Sequence, residues 1–304
     1  MHYNKYSNAL MKRFGEKVYK IPINLPITCP NRDGSIGKGG CAFCGEIGAG
    51  FEAQESCHSV SKQLADNIAV IAPKYHARKF IAYFQNYTNT YMALDRFKAF
   101  TEEAAGFPDV IGISISTRPD CISEPYLAHL KQLSTAYGLA IEIELGLQTV
   151  NEASLLKLNR GHGVSEFLTA VKLVQAFGFT ICTHLIGNIP WDTEGDLYEA
   201  ARLINHLKID AVKLHSLYIL KESLLGQWYT DGEFSMIDAD TYIQRVIHFL
   251  RILNPEITIQ RLFGRAPESM TLFCNWGMSW RKLQNELDHR MTMLGVKQGD
   301  LYEE

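Results

Sequence analysis

Short runs of β-branched and aliphatic residues alternate with amphipathic helical segments along most of the chain, and this rhythm restricts the possible folds most strongly. The strand-like runs are 17–25, 79–86, 109–117, 140–148, 179–188 and 211–220, and segments with helical spacing include 60–72, 123–137, 165–177 and 194–207. Alternating strands and helices favour parallel strands joined by right-handed crossovers. We therefore expect an α/β fold, a partial (β/α)6 TIM-like barrel at 17–220. A segment at 1–16 would precede it, and a small C-terminal α/β extension at 221–304 would close it.

Several predicted strands carry polar residues at every second position, which is unusual for parallel strands buried on both faces. Glu142 and Glu144 alternate with aliphatic residues, Cys182 and His184 share one face, and Lys213 lies on another strand. These groups would form either a polar lumen that holds a ligand or an internal set of salt bridges. In barrel-like parallel folds, ligands bind at the carboxyl ends of the strands. The polar residues found at those ends are Asn86, Ser116, Arg118, Gln148 and Asn188.

Three of the seven cysteines, Cys29, Cys41 and Cys44, lie within sixteen residues in a glycine-rich segment after the first predicted strand. An odd, mostly scattered set of cysteines does not suggest a disulfide framework. Thiolates bind zinc or iron–sulfur clusters. A structural zinc needs four protein ligands, and Cys57 is the nearby candidate for the fourth. A [4Fe–4S] cluster with three cysteine ligands would instead leave one iron open. Both interpretations remain possible at this level.

The spacing Cys29-x11-Cys41-x2-Cys44, with Phe43 before the last cysteine, resembles the radical SAM superfamily in its Elongator-like branch. Further motifs that are similar to this branch are "STRPD" (116–120), "LGLQTVNEASLLKLNRGH" (145–162), "HLIGNIPWDT" (184–193) and "LYILKESLLGQWYTDGEF" (217–234). The resemblance covers roughly residues 15–285. Within the branch, the short chain looks like the bacterial proteins of YhcC/YtqA type.

The resemblance implies that Cys29, Cys41 and Cys44 hold a [4Fe–4S] cluster and that S-adenosylmethionine binds its open iron. By the same resemblance, Gln148 contacts the ribose, Arg160 the methionyl carboxylate and His184 the ribose or adenine, with Ser116 and Arg118 close by. The glycine-rich segment that usually follows the second strand is replaced here by "QNYTNTY" (85–91). Asn86, Thr88 and Asn89 are the candidates for its polar contacts.

The function implied is reductive cleavage of S-adenosylmethionine to a 5′-deoxyadenosyl radical, with tRNA as the favoured substrate class. One alternative is radical chemistry on a small metabolite or a partner protein. Another is a non-catalytic binding module that a structural zinc ion stabilises. A net charge of −3 gives no overall basic field, so RNA would have to meet a local patch. The candidates for such a patch lie among the aromatic residues of 254–291 and are Arg261, Arg265, Arg281, Lys282 and Arg290. The alternative is a strand and a helix that close the open side of the barrel with solvated charges. We expect a flavodoxin- or ferredoxin-like electron donor, no membrane association and a cytoplasmic location.

Overall fold

The computed structural model describes residues 2–45 and 54–303. Its strands are β1 Val18–Ile23, β2 Lys79–Phe84, β3 Val110–Thr117, β4 Ala140–Gln148, β5 Thr180–Ile186, β6 Ala211–His215, β7 Ile219–Leu220, β8 Thr258–Arg261 and β9 Thr271–Phe273. Its α-helices are α1 Tyr6–Phe14, α2 Val60–Tyr75, α3 Leu94–Ala105, α4 Glu124–Tyr137, α5 Glu152–Lys157, α6 Val164–Ala176, α7 Glu194–His206, α8 Leu224–Thr230, α9 Ala239–Ile252 and α10 Trp280–Leu294.

Seven strands form one parallel sheet in the order β1-β2-β3-β4-β5-β6-β8, curled into a half-barrel. The predicted α/β class and the partial barrel are confirmed. Six of these strands arise from the six predicted runs, and β8 adds a seventh from the C-terminal region. The predicted boundary at residue 220 therefore assigns β8 to the extension although it pairs with β6 in the main sheet.

The predicted strand 211–220 is wrong in its second half. β6 ends at His215, and the chain resumes as β7, which pairs antiparallel with β9 in a separate two-stranded sheet. Between them, the Leu217 amide donates to Asn188 Oδ1 at 2.6 Å, and Ser216 Oγ receives the Gly264 amide at 2.7 Å. These side-chain contacts replace ladder hydrogen bonds, so the apolar run bends away from the sheet.

The N-terminal segment lies beside the two edge strands of the half-barrel. The Ile259 amide of β8 donates to the carbonyl of Asn4 at 2.8 Å, and α1 contacts both β1 and β8. Leu10 packs with Val18 and Ile81 in a small apolar cluster. The segment thus covers the gap between the edges. Within the described ranges, every helix is too short or too polar to cross a bilayer.

Candidate functional site

The loop that carries Cys29, Cys41 and Cys44, which we call the cysteine loop, follows β1. It is hydrogen-bonded to the turn between α5 and α6. The Ala42 amide donates to the carbonyl of Leu158 at 2.9 Å, and Asn159 Nδ2 donates to the carbonyl of Gly40 at 2.9 Å. Asn31 Nδ2 donates in return to the carbonyl of Asn159. The backbone hydrogen bond of Cys44 to Cys41, at 2.8 Å, closes a tight turn between two of the thiols. The loop therefore has a defined conformation at the carboxyl end of the sheet.

The thiols of Cys29, Cys41 and Cys44 face one cavity of about 670 Å³. Burial, followed by the neighbouring Cys41, raises the pKa of Cys44 to about 12. A thiol in this position becomes a thiolate when a cation takes the proton's place, because metal coordination deprotonates such groups. The three thiols thus supply soft anionic ligands at one end of a ligand-sized space.

The donor set fits an iron–sulfur cluster better than a zinc ion. A tetrahedral zinc with bonds of about 2.3 Å would hold its sulfur atoms about 3.8 Å apart. Among the described residues, these three thiols do not form a group whose members all lie within 4.8 Å of one another. A cluster puts iron and sulfide between its ligands and needs the wider spacing. Cys57, the proposed fourth zinc ligand, is exposed, neighbours Glu55 and His58, and does not line this cavity.

Arg160 connects the cysteine loop to the end of β4. Its Nη1 donates to Cys41 Sγ at 3.2 Å, and its Nη2 donates to the carbonyl of Gly146 at 2.8 Å. The guanidinium is buried, and its Nε has no hydrogen-bond partner among the described residues. A buried donor of this kind requires an acceptor. Arg160 is therefore suited to receive an anionic group beside the thiols.

Glycine at position 146 makes room for two of the predicted site residues. A Cβ there would lie 3.0 Å from Gln148 Nε2 and 3.2 Å from Arg160 Nη2, so both side chains would have to move by a few tenths of an ångström. Gln148 itself ends β4 with φ of 75°, in a bulge of the β4–β5 ladder. Such a backbone is strained for a residue other than glycine and is concentrated at functional sites. It re-aims the Gln148 side chain, which lines the cavity.

The structure brings nearly all the predicted cofactor-binding residues to this cavity. Those that line it are Thr88, Ser116, Arg118, Gln148, Arg160 and His184. Asn86 does not line it, because its side chain is buried and donates to Asn24 Oδ1 at 2.9 Å. Asn89, the third candidate of the 85–91 segment, does not line it either, because its side chain donates to three backbone carbonyls and orders the loop.

The polar strand faces form a charge network inside the half-barrel, which agrees with the expectation of an internal set of salt bridges. Glu144 is completely buried and accepts from Lys20, Lys213, His184 and Tyr83. Burial alone would raise the pKa of Glu144, but the two lysines hold it well below its usual range. Glu142 accepts from Lys20 and from Gln260 Nε2. Since His184 and Lys213 also line the cavity, the network forms its floor.

His162 is neutral in the folded protein, and this has a consequence for pH dependence. Its Nε2 accepts from Arg160 Nη2 at 2.8 Å, and burial together with the charge of Arg160 lowers its pKa to about 4. The unfolded chain has the ordinary histidine pKa of about 6.5. The unfolded state therefore binds a proton that the folded state does not, and stability falls as the pH drops from 6.5 towards 4.

We expect His162→Gln to make the free energy of unfolding less dependent on pH in this range. The slope should decrease by up to about 1.4 kcal/mol per pH unit. Urea unfolding of the metal-free protein at pH 7.5, 6 and 5 measures it. His206→Gln, at an exposed position at the end of α7, is the control and should retain the wild-type slope. Equal slopes for wild type and His162→Gln would contradict the assignment.

Two arginines and a tryptophan stand at the mouth of the cavity. The Arg265 guanidinium carbon lies 4.0 Å from the centre of the Trp280 ring, and that of Arg281 lies 4.9 Å away. Arg265 and Trp280 line the cavity, whereas Arg281 is exposed beside it. A flat ring held by guanidinium groups resembles the stacking platforms of proteins that bind unpaired bases. We call Arg265, Trp280 and Arg281 the mouth cluster.

Similar proteins cover nearly the whole chain. The chain is 30% identical over 301 residues to the uncharacterized protein YtqA of Bacillus subtilis, covering 99% of this chain and 93% of YtqA. It is 29% identical over 294 residues to the protein YhcC of Escherichia coli, covering 97% and 94%. A tRNA uridine(34) acetyltransferase of Dehalococcoides mccartyi is 22% identical over 160 residues, 52% of this chain and 34% of that protein.

A solved structure with the same fold is that of the archaeal Elp3 from Methanocaldococcus infernus with an N-terminal deletion. It superposes with a TM-score of 0.70 at 16% identity, covering 92% of this chain and 64% of that one. The Radical SAM superfamily matches residues 29–204, and the Radical_SAM C-terminal domain matches 209–293. The chain belongs to the radical SAM superfamily, is similar to proteins of the Elongator type, and is an enzyme whose cofactors are a [4Fe–4S] cluster and S-adenosylmethionine.

Proposed function

We propose that this enzyme uses Cys29, Cys41 and Cys44 to hold the cluster and acts on an RNA substrate, with tRNA as the favoured class. When bound and reduced, the cluster and S-adenosylmethionine together supply a 5′-deoxyadenosyl radical, which removes hydrogen from an unactivated carbon. The chain's part is to bind the cofactors, orient the substrate and exclude water. The observation that carries the RNA assignment is the mouth cluster, which borders the cavity that contains the three thiols.

Each proposed contact has a chemical basis in the cavity. The Arg160 guanidinium offers its charge and its Nε donor, which has no partner among the described residues, to the methionyl carboxylate. Gln148 offers an amide to the ribose hydroxyls at the strained end of β4. His184 donates to Glu144, which fixes its ring against the floor and leaves the other ring nitrogen for adenine or ribose. Thr88, Ser116 and Arg118 complete the polar wall.

RNA binding is supported by the mouth cluster and by the name of one relative, a tRNA-modifying enzyme that matches part of this chain. Because the chain has a net charge of −3, such binding would depend on local cations. Bases that leave a helix stack on aromatic rings and arginine planes. A nucleotide stacked on Trp280 would lie at the entrance of the cavity, from which its sugar or base reaches the site beside the cysteines.

We expect Trp280→Ala to weaken binding of tRNA about 5- to 160-fold, since stacking contributes about 1–3 kcal/mol per base. Arg281→Gln should weaken binding and reduce the slope of log affinity against log salt by about one. Gel-shift titrations at several low salt concentrations measure both effects. Arg202→Gln changes an exposed arginine of α7 that pairs with Glu199 outside the cavity, and it should bind like the wild type. Absence of tRNA binding by the wild type at low salt would overturn the RNA assignment.

A second candidate function is radical chemistry on a small metabolite, favoured by the charged floor of the cavity. A deuterated substrate pool distinguishes the two candidates, because deuterium appears in 5′-deoxyadenosine only when the labelled molecule loses hydrogen. Transfer from labelled metabolites, with none from labelled tRNA, would favour the metabolite. For either substrate we propose a flavodoxin- or ferredoxin-like electron donor and a location in the reducing cytoplasm.

A further inference from the structure

Arg261, the last residue of β8, lines the cavity and forms no hydrogen bond or ion pair with any residue in the described ranges. It is aligned in the sheet with Lys213 of β6, and Lys213 is aligned with His184 of β5. Three basic side chains thus stand side by side on neighbouring strands. A guanidinium on a cavity wall needs acceptors for its five donors. Residues 2–45 and 54–303 provide none, so the acceptors would come from solvent or a ligand.

The nearby carboxylates are already engaged elsewhere. Glu144 is shared by Lys20 and Lys213, and Glu142 accepts from Lys20 and Gln260. The two lysines and the two carboxylates balance each other, so among the described residues of this wall the charge of Arg261 remains without a counter-ion. The pKa of His215 reflects the imbalance: burial lowers it well below the usual range, and Arg261, His184 and Lys213 lower it further.

We propose that Arg261 and His215, with Lys213 beside them, form a binding subsite for an oxyanion of the substrate, a phosphate or a carboxylate. Arg261 supplies two parallel donors that match either group. His215 lines the same cavity, two residues beyond Lys213, and its neutral ring supplies one further donor. Lys213 adds a fixed positive charge within the sheet. The subsite requires only an anionic substrate, so it does not depend on that substrate being RNA.

The position of the subsite relative to the cysteines orients the substrate. Arg160 lies on the cysteine side of the cavity, since it donates to Cys41 Sγ at 3.2 Å and to the carbonyl of Gly146 in β4. Arg261 lies on β8, which β5 and β6 separate from β4 in the sheet. A substrate anchored by its oxyanion at Arg261 would extend across the cavity towards the cysteine loop, where hydrogen is removed.

The test is a titration of inorganic phosphate, and separately of acetate, followed by ³¹P and ¹³C NMR line broadening. The protein carries its oxidised cluster and saturating S-adenosylmethionine, which occupies the cofactor's own carboxylate contact. We expect Arg261→Gln to weaken binding of phosphate or acetate about tenfold or more, because hydrogen bonds to charged groups contribute strongly. Arg261→Lys should retain part of the affinity, since it keeps the charge without the fork. His215→Asn should show an intermediate loss.

Lys5→Gln is the matched control. It removes the same charge from the same cavity, but Lys5 already pairs with Asp288 at 3.1 Å, so phosphate binding should be unchanged. Circular dichroism verifies folding of each variant. Equal affinity in wild type and Arg261→Gln, or absence of anion binding by the wild type while S-adenosylmethionine is bound, would overturn the proposal. Displacement of phosphate by tRNA would assign the oxyanion to an RNA phosphodiester, whereas retention of phosphate would assign it to a free metabolite.

Discussion

Replacing Cys41 with alanine is expected to abolish both the iron–sulfur chromophore and the formation of 5′-deoxyadenosine. Cys41 is buried and its Sγ accepts hydrogen bonds from Arg160 at 3.2 Å and from Asn31 at 3.5 Å. Its loss leaves two thiolates, too few to hold the cluster with one iron open. The measurement is iron and sulfide content after anaerobic reconstitution, followed by chromatography of the reaction with S-adenosylmethionine and dithionite.

The matched control for this change is Cys57→Ala. Cys57 is exposed, and its thiol does not line the cavity. We expect the variant to bind iron and form 5′-deoxyadenosine at wild-type levels. If Cys57→Ala lost its metal as completely as Cys41→Ala, a four-cysteine metal site would explain the chain better than a three-cysteine cluster.

Replacing Glu144 with glutamine is expected to reduce the free energy of unfolding by about 3–5 kcal/mol. The change preserves the shape of the side chain but leaves Lys20 and Lys213 without their shared carboxylate in the barrel interior. Removing one partner of a buried ion pair has this magnitude because the remaining charge is desolvated and unpaired. Urea unfolding of the metal-free protein at pH 7.5 measures it. At this pH the ionised carboxylate of Glu144 contributes its full stabilisation. Because the pKa of Glu144 is lowered in the folded protein, this stabilisation is lost only at pH values below about 4.3.

Glu142→Gln is the matched control for the charge network. Glu142 is partly exposed and shares Lys20 with Glu144, so the ammonium group keeps one carboxylate when Glu142 is replaced. We expect less than half of the loss seen for Glu144→Gln. Equal effects of the two changes would mean that the network acts as a diffuse polar layer in which no residue is central.

The fold could be predicted largely because parallel strands buried by helices leave a strong periodic signal. The strands at 140–148 and 79–84 coincide with or lie within the predicted runs. β8 escaped prediction as part of the main sheet because "TIQR" is only four residues long and its partner, β6, lies more than forty residues earlier. The break after His215 was also missed, since the turn there is stabilised by distant side chains such as Asn188 and Asn275.

The site was predictable where short motifs carry chemistry and less so where the fold assembles it. The cysteine spacing indicated three residues that the structure gathers at one cavity, and "GLQ" indicated Gln148, which lines the same cavity. Lys20 was not identified, because a lysine in the first strand has no sequence signal that links it to glutamates 122 and 124 residues later. Asn31 was missed for a different reason: its bond to the Cys41 thiol depends on how the loop folds back on itself.

The central claim, that three cysteines hold a redox-active cluster with one open iron, is tested most directly by anaerobic reconstitution of the wild-type protein. The protein is loaded with iron and sulfide, reduced, and mixed with S-adenosylmethionine, and its iron, sulfide and zinc contents are determined alongside 5′-deoxyadenosine. We predict iron and sulfide in equal amounts, no bound zinc, and 5′-deoxyadenosine that depends on reductant. Stoichiometric zinc with no cleavage of S-adenosylmethionine would contradict the account.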